Sequence, residues 1–244
     1  TMQTILKSII CAGLLLCLVT ESKAQWGYNK VVGDGNVTTK SVSTGDYDEI
    51  KVVGSMDVHL EKRTEGNISV TTDSNLHDYI VIEVKGDELV IKTKNGYNLK
   101  TKKGIHITVP FQDISEVSLT GSGDVDTKDT IKADEFEVSV TGSGDINLTI
   151  DAQSIETSIT GSGDVVLKGS TNNLAVTVSG SGDFKGFDLQ SNHTEARVSG
   201  SGDIQVVAKQ SINARVNGSG DIVYKGNPER SDTQTSGSGD ITSY

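Results

Sequence analysis

Cysteine, proline and aromatic residues are scarce in this sequence. Its two cysteines, Cys11 and Cys17, both lie among the first twenty of 244 residues. Aromatic residues make up 5% of the chain, and there are only two prolines and one tryptophan. A disulfide framework and an aromatic-rich core are therefore excluded for the rest of the chain. Its stability must come from aliphatic packing and backbone hydrogen-bond ladders.

Positively charged residues are also few. The chain has 22 Lys and Arg residues against 33 Asp and Glu residues, a formal net charge of −11 at pH 7. An acidic surface repels nucleic acid and other polyanions. We therefore expect no nucleic-acid partner, and we expect partners that are cations or neutral molecules.

Long apolar runs are absent except near the N-terminus. Lys7 precedes the apolar run 9–19, which a short polar stretch ending at Ala24 follows. This order is typical of a secretory signal peptide, residues 1–24, cleaved after Ala24. The run is too short for a comfortable membrane span, and a large residue before each cysteine disfavours lipidation. We expect an exported protein without a transmembrane segment, in the periplasm, on the outer-membrane surface or outside the cell.

Glycine is abundant, and much of it belongs to one repeated word, Gly-Ser-Gly-Asp. The spacings between the aspartates that end successive copies are 21, 19, 19, 20, 18 and 19 residues. These corner aspartates are Asp124, Asp145, Asp164, Asp183, Asp203, Asp221 and Asp240. A period of this length predicts a stack of small structural units.

Apolar residues alternate with polar ones on both sides of each copy. The residue directly after the aspartate is apolar in all seven copies, and the positions five and seven residues before it are mostly apolar. Alternation predicts β-strands with one buried face, and units this short bury that face only by stacking. We predict an all-β parallel β-helix over residues 111–244. The absence of a strict six-residue period favours right-handed coils.

The segment 25–110 is also expected to be β-rich. Gly54-Ser55-Met56-Asp57 resembles a degenerate copy of the repeat, and Lys85-Gly86-Asp87 resembles a hairpin turn. We predict that this part is continuous with the β-helix or packs as its cap, with a soft boundary near Pro110.

The repeated word has two interpretations. As a corner, glycine supplies positive φ angles, while Ser and Asp close the turn locally through bonds to its amides. As a metal site, the corner aspartates would form a calcium ladder; since Ca²⁺ takes six to eight oxygen ligands, this would need several coils. We favour the corner, with no cofactor, and keep calcium as the alternative.

An enzymatic role is the rival functional class. Some β-helices cleave polysaccharides, but they need an asymmetric cluster of catalytic groups, which a uniform repeat does not provide. The four histidines, His59, His77, His106 and His193, show no mutual metal spacing and are expected to be solvated. The serines of the repeat have no histidine partner. We predict no catalytic residues, and a polysaccharide lyase or hydrolase remains the alternative.

The chain resembles the auto-transporter adhesin head GIN domain family of secreted Bacteroidetes proteins. The repeated pattern [VI]-[TS]-G-S-G-D-[VI] carries this resemblance over roughly residues 45–240. Matching stretches are 136–148, 155–167, 48–52 and 57–60. The resemblance implies a β-helical fold and an adhesive role, and it supplies no catalytic residues.

We therefore expect a non-enzymatic cell-envelope protein with a repeated Thr, Ser and Asp face. Such a face suits glycans or proteins of the envelope or of a host. Self-association is a further alternative, because the last coil shows no charged or proline-rich cap that would protect its strand edge.

Overall fold

The computed structural model describes residues 28–244, so the predicted signal peptide lies outside the described residues. These residues form nineteen β-strands and one short 3-10 helix, His77–Tyr79. The strands are β1 (Asn29–Val32), β2 (Val37–Ser43), β3 (Glu49–Gly54), β4 (Asp57–Lys62), β5 (Asn67–Asp73), β6 (Ile80–Lys85), β7 (Glu88–Thr93), β8 (Tyr97–Lys100), β9 (His106–Phe111), β10 (Glu116–Gly121), β11 (Val125–Gly142), β12 (Ile146–Gly161), β13 (Val165–Gly180), β14 (Phe184–Gly200), β15 (Ile204–Val207), β16 (Ser211–Gly218), β17 (Ile222–Lys225), β18 (Arg230–Gly237) and β19 (Ile241–Ser243).

The predicted parallel β-helix is confirmed. Each copy of the repeat forms a corner between two strand segments, and every segment pairs in parallel with its equivalents in the neighbouring coils. The long strands β11–β14 continue from one corner around the coil to the next. The handedness of the coils stays a prediction.

Eight corners lie directly above one another, including the degenerate copy. The first glycines of the corners are paired in register from each coil to the next. They are Gly54, Gly121, Gly142, Gly161, Gly180, Gly200, Gly218 and Gly237. The interpretation of Gly54-Ser55-Met56-Asp57 as a copy of the repeat is therefore confirmed.

The order of strands along the stack departs from chain order at its N-terminal end. β3 lies between β7 and β10, and β4 lies between β9 and β11, in parallel pairing throughout. The outermost coil is therefore built from β7 and β9, which follow β3 and β4 in the sequence. Coils need not stack in chain order, because a strand edge accepts any partner with matching register and packing.

Antiparallel strands cover this end of the stack. β6 pairs with β7 through the predicted hairpin at Gly86, whose φ is +65°, while β5 pairs with β9 and β2 with β5. β1 and β8 form a separate two-stranded sheet. One continuous sheet thus contains strands from both sides of Pro110, which itself lies inside β9. The division of the chain at residue 110 stays a prediction.

The interior of the coils is filled with aliphatic side chains. The position after the corner aspartate is at most 1% exposed from Val58 through Ile222, and the position five before it is at most 2% exposed from Val52 through Val216. In β18 the corresponding residue is Thr235, and the whole strand is exposed. This continuous core leaves the outward-facing residues as the place where a function must be sought.

Candidate functional site

In the seven complete copies of the repeat, the two glycines of a corner are required for different reasons. The first glycine has a φ between +122° and +142° in all eight corners, a conformation that other residues rarely adopt. The second glycine has no positive φ, but a Cβ there would collide with backbone of the coil below; at Gly144 the obstacle is the carbonyl oxygen of Gly123. The prediction that glycine supplies positive φ is therefore correct for the first position and incomplete for the second.

The corner aspartates bond between coils rather than within one corner. The Oδ1 atom of Asp145 accepts the backbone N–H of Asp164 at 2.8 Å, and Oδ1 of Asp164 accepts the N–H of Asp183 at 3.0 Å. The same bond repeats from Asp124 to Asp240 at 2.8–3.2 Å. The predicted local closure is therefore wrong, because the stacked coils bring the next amide within reach of each carboxylate.

The corner serines contribute mainly through their backbone. The N–H groups of Ser143 and Gly144 both donate to the carbonyl oxygen of Gly121, at 2.8 and 3.0 Å. Within residues 28–244, no hydroxyl of a Gly-Ser-Gly-Asp serine makes a hydrogen bond with the protein. These hydroxyls remain available to solvent or to a ligand.

The structure places all seven candidate metal ligands in one row. One carboxylate oxygen of each aspartate from Asp124 to Asp221 is engaged by an amide, and Asp164 also pairs with Lys185. Among residues 28–244, no three His, Cys, Asp or Glu side chains are grouped in a way that could hold a metal ion. The calcium ladder stays a prediction.

A row of glutamates crosses the strand segments that precede the corners. Aligned register brings Glu116 beside Glu49 on one side and Glu137 on the other. Glu88 extends the row at one end, and Glu156 extends it in the other direction. Sequence analysis missed this row, although position eight before the corner aspartate reads Glu in several copies.

Glu116 lies in the middle of the glutamate row and is partly buried. Partial burial raises the pKa of its carboxyl, and the negative charges of Glu137, Glu49 and Glu88 raise this pKa further, while Lys51 lowers it. Packing carboxylates one strand apart therefore makes ionisation of the central one more costly.

Hydroxyl rows run parallel to the glutamate row. The strands β10–β14 and β16 each end at a corner. We call the outward side of the last part of these strands, the part that leads into the corner, the lateral face. The position four before the corner aspartate carries a small polar side chain in every repeat of this face. These residues are Thr120, Thr141, Thr160, Ser179, Ser199 and Asn217, all exposed or half-buried. A second row contains Ser118 and Ser139, whose hydroxyls bond at 2.9 Å.

Two of the four histidines lie side by side although they are far apart in the sequence, and a third is buried. His59 and His106 stack with ring centroids 5.9 Å apart, because β4 and β9 are neighbours. His59 Nδ1 lies 2.8 Å from Asp126 Oδ2, and His106 Nδ1 lies 3.5 Å from Asp57 Oδ2. His77 is buried, so its predicted solvation is wrong. Burial and the positive charge of Lys40 lower its pKa.

A cleft of about 440 Å³ opens beside the first corner. Its lining includes Ser55 of that corner, Thr93 at the end of β7, and Asn95, Tyr97 and Asn98 of the segment that follows. Sequence analysis did not find this cleft, because the facing segments are about forty residues apart in the chain.

Comparisons with known proteins agree with this architecture. The family model described as "Putative auto-transporter adhesin, head GIN domain" matches residues 46–228. A solved structure of a putative adhesin from Bacteroides fragilis NCTC 9343 is similar with a TM-score of 0.83 at 23% identity, over 88% of this chain and 100% of that chain. At 23% identity, this similarity shows that the two proteins share a fold.

Two further structures come from Parabacteroides distasonis ATCC 8503. A putative lipid binding protein is 32% identical with a TM-score of 0.75, and a putative adhesin is 27% identical with a TM-score of 0.72. Both likenesses cover 88% of this chain and 100% of the other. No curated protein matches the chain.

The family description indicates a cell-surface or exported protein. Within residues 28–244, no helix has the length and apolar character needed to cross a bilayer. Because the family model matches well over half of the sequence, this chain belongs to the putative auto-transporter adhesin, head GIN domain family.

Proposed function

We propose that this chain is an exported, non-enzymatic protein of the cell envelope that binds a partner through the lateral face. The observation that carries this proposal is the repetition of small polar side chains in neighbouring strands, in register from Thr120 to Asn217, with a hydroxyl in five of the six strands. At about 4.8 Å between strands, these rows form a regular polar surface of about 25 Å. Such a surface suits an extended partner better than a small molecule.

The chemistry of the face favours a neutral glycan or a protein as the partner. Hydroxyls donate and accept hydrogen bonds, so they match the hydroxyls of a sugar chain or the backbone of a protein segment. The parallel row of glutamates repels polyanions, which disfavours acidic polysaccharides and nucleic acid. Adhesion through many weak, equivalent contacts follows from this repetition.

A non-enzymatic role is supported by the row of small polar residues from Thr120 to Asn217. Catalysis needs groups with different protonation states at one place, whereas this row repeats side chains that do not ionise near neutral pH. The buried core of the coils also has little room for a lipid chain, since the inward side chains are almost fully buried. We therefore favour surface binding over storage of a ligand inside the coils.

The test compares two double variants of the chain without its predicted signal peptide. Thr141→Arg with Thr160→Arg changes neighbouring residues of the lateral face. The matched control, Asn147→Arg with Val166→Arg, places the same charges at neighbouring outward positions beyond the corner. Binding is measured on an array of neutral and acidic glycans and on immobilised extracellular glycoproteins, with melting curves to confirm folding.

We expect binding to neutral glycans or to proteins, weakened at least about tenfold by the lateral-face variant and little changed by the control. Equal loss in both variants, or no loss in either, would contradict the assignment of the face. Release of reducing ends from any polysaccharide by the wild-type chain would replace it with the enzymatic alternative.

A further inference from the structure

The cleft exists because one corner of the stack is replaced by a longer connection. In the outermost coil, β7 and β9 are joined by residues 94–105, where the complete repeats use three residues between strands. Part of this connection forms β8, which pairs with β1 outside the main sheet. The first corner, Gly54–Asp57, therefore faces a loop instead of another corner, and the space between them is the cleft.

Met56 shows how the first corner differs from the others, since it faces a loop and not another corner. It occupies the position of the second glycine, which is free for a side chain here because no corner lies directly below. Met56 is fully buried, and Ile105 beside the cleft is 4% exposed. These side chains close the coil interior beneath the cleft, so the cleft is a surface depression and does not lead into the core.

The lining of the cleft combines polar side chains with the apolar side chains of Val53, Leu99 and Ile105, and it is almost uncharged. Ser55, Asn95 and Asn98 contribute a hydroxyl and two amides, and Lys94 is the one charged side chain that lines the cleft within the described chain. Within residues 28–244, the side chains of Ser55, Asn95 and Asn98 make no hydrogen bond with the protein. Amides that are not engaged internally can donate and accept hydrogen bonds to a ligand.

Aromatic rings border the same space. Tyr97 is held by Tyr79, with ring centroids 4.7 Å apart, and Lys94 Nζ lies 6.0 Å from the Tyr97 centroid. Tyr28 also lines the cleft and is 69% exposed. Tyrosine combines a flat apolar face with a polar hydroxyl, so it contacts a ligand that is amphipathic in the same way.

We propose that this cleft binds a neutral pyranose residue of a glycan. A pyranose has a C–H face that packs on an aromatic ring, and its hydroxyls match planar amides and a serine hydroxyl. The volume lies in the range of small-molecule sites. Lipid tails require an enclosed apolar cavity, and anionic sugars would need more than one cation on this acidic protein.

This inference goes beyond the lateral-face proposal and does not depend on it. The small polar residues of the lateral face, from Thr120 to Asn217, do not line the cleft. A soluble disaccharide can therefore occupy the cleft whether or not the lateral face binds an extended partner.

The experiment uses the chain 25–244 and four neutral disaccharides: maltose, cellobiose, lactose and chitobiose. Saturation-transfer NMR detects binding, and calorimetry measures the dissociation constant. Asn95→Ala with Asn98→Ala removes both amides, and Asn147→Ala removes an exposed asparagine on β12 as the control. Dodecanoate serves as the lipid probe, and melting curves verify that each variant is folded.

We expect at least one disaccharide to bind, with a dissociation constant raised at least about tenfold in the Asn95 and Asn98 variant, since each lost hydrogen bond contributes about 1 kcal/mol. The Asn147→Ala variant should bind as the wild type does. Failure of all four disaccharides to bind, or binding that the double variant leaves unchanged, would overturn the proposal. Dodecanoate binding that the double variant weakens, without disaccharide binding, would assign the cleft to a lipid instead.

Discussion

At the scale of single residues, the corner is governed by how closely the coils approach. The carbonyl oxygen of the first glycine accepts two N–H groups from the coil above, and the carbonyl oxygens of the first and second glycines leave no space for a side chain at the corresponding glycines above them. Asp is the third requirement, because its Oδ1 satisfies the next amide in the row. Each residue of the repeated word therefore serves stacking, apart from the free serine hydroxyl.

Gly144→Ala tests the close approach without involving a positive φ. A Cβ at this position would collide with the Gly123 carbonyl, so we expect a loss of about 3 kcal/mol in the free energy of unfolding. Gly45→Ala is the control, because no heavy atom lies within 4 Å of its added Cβ and its φ is ordinary. Urea unfolding measures both variants; equal stability of the two would disprove the packing argument.

Asp145 tests the bond between coils. Asp145→Ala removes the acceptor for the Asp164 amide, so we expect a loss of up to about 1 kcal/mol, whereas Asp145→Asn keeps an oxygen in the same place and should lose less. Denaturant unfolding without calcium isolates this effect. A larger loss for asparagine than for alanine would rule out the proposed bond.

Calcium titration of the wild type separates the two interpretations of the aspartate row. Saturable heat of binding with a raised melting temperature would support the calcium ladder, because a ligand that binds only the folded state stabilises it. The same titration of Asp145→Asn, which keeps the acceptor oxygen but removes a charge, shows whether the row is the site. With the corner interpretation, we expect no saturable binding.

At the scale of strands, parallel in-register pairing turns any repeated residue into a row. It places like side chains about one strand spacing apart, which suits hydroxyls and opposes carboxylates. The Glu row from Glu88 to Glu156 is therefore a cost to stability that the hydrophobic core must exceed. A row of this kind is expected to persist where the surface serves recognition rather than stability.

Glu116→Gln tests this cost through its pH dependence. The raised pKa of Glu116 means that the folded state holds its proton more tightly than the unfolded state. The stability contributed by Glu116 therefore falls as the pH rises from the pKa of the unfolded state, about 4.5, through the raised pKa of the folded state. We expect Glu116→Gln to raise the melting temperature at pH 7 and to leave it nearly unchanged at pH 3.5, below the unfolded pKa.

The matched control for this variant is Glu229→Gln, an exposed glutamate of the connection before β18. It should leave the melting temperature nearly constant at both pH values, because it lies outside the row. A destabilising effect of Glu116→Gln at pH 7 would show that the attraction of Glu116 to the positive charge of Lys51 outweighs the repulsion.

At the scale of the whole molecule, the stack has one covered end and one exposed strand. Antiparallel strands cover the end that contains β7 and β9, whereas β18 is exposed along all eight residues and pairs only with β16 among the described strands. Its inward positions carry Ser231, Thr233 and Thr235, so this coil is polar where the others are aliphatic. Because these inward residues are polar, the hydrophobic driving force for covering this edge with another strand is weaker.

Self-association through β18 remains a prediction from the sequence, and light scattering over a wide concentration range tests it. If the edge pairs with another chain, the mean mass should rise with concentration, and Gln234→Pro should abolish the rise by removing an amide and blocking strand pairing. Gln234→Ala keeps the backbone amide of β18, so it is the matched control and should leave the rise unchanged. A constant mass at all concentrations would exclude this route.

Much of the fold follows from the sequence, because residues 117–241 repeat one pattern. Alternating apolar residues determine which side of each strand is buried, and the constant spacing aligns the copies in register. The row of corner aspartates and the hydroxyl rows were predictable for the same reason. The glutamate row was available from the same alignment, at the position eight residues before each aspartate.

Only the tertiary structure decided the arrangement of the N-terminal part. There the repeat is degenerate, so nothing in the pattern specifies that β3 lies between β7 and β10 or that His59 stacks on His106. The cleft beside Gly54 likewise depends on where the non-repeating segment 94–105 packs. Periodicity determines pairing where the units are alike; where they differ, the pairing is chosen by how particular side chains fill the core between distant segments.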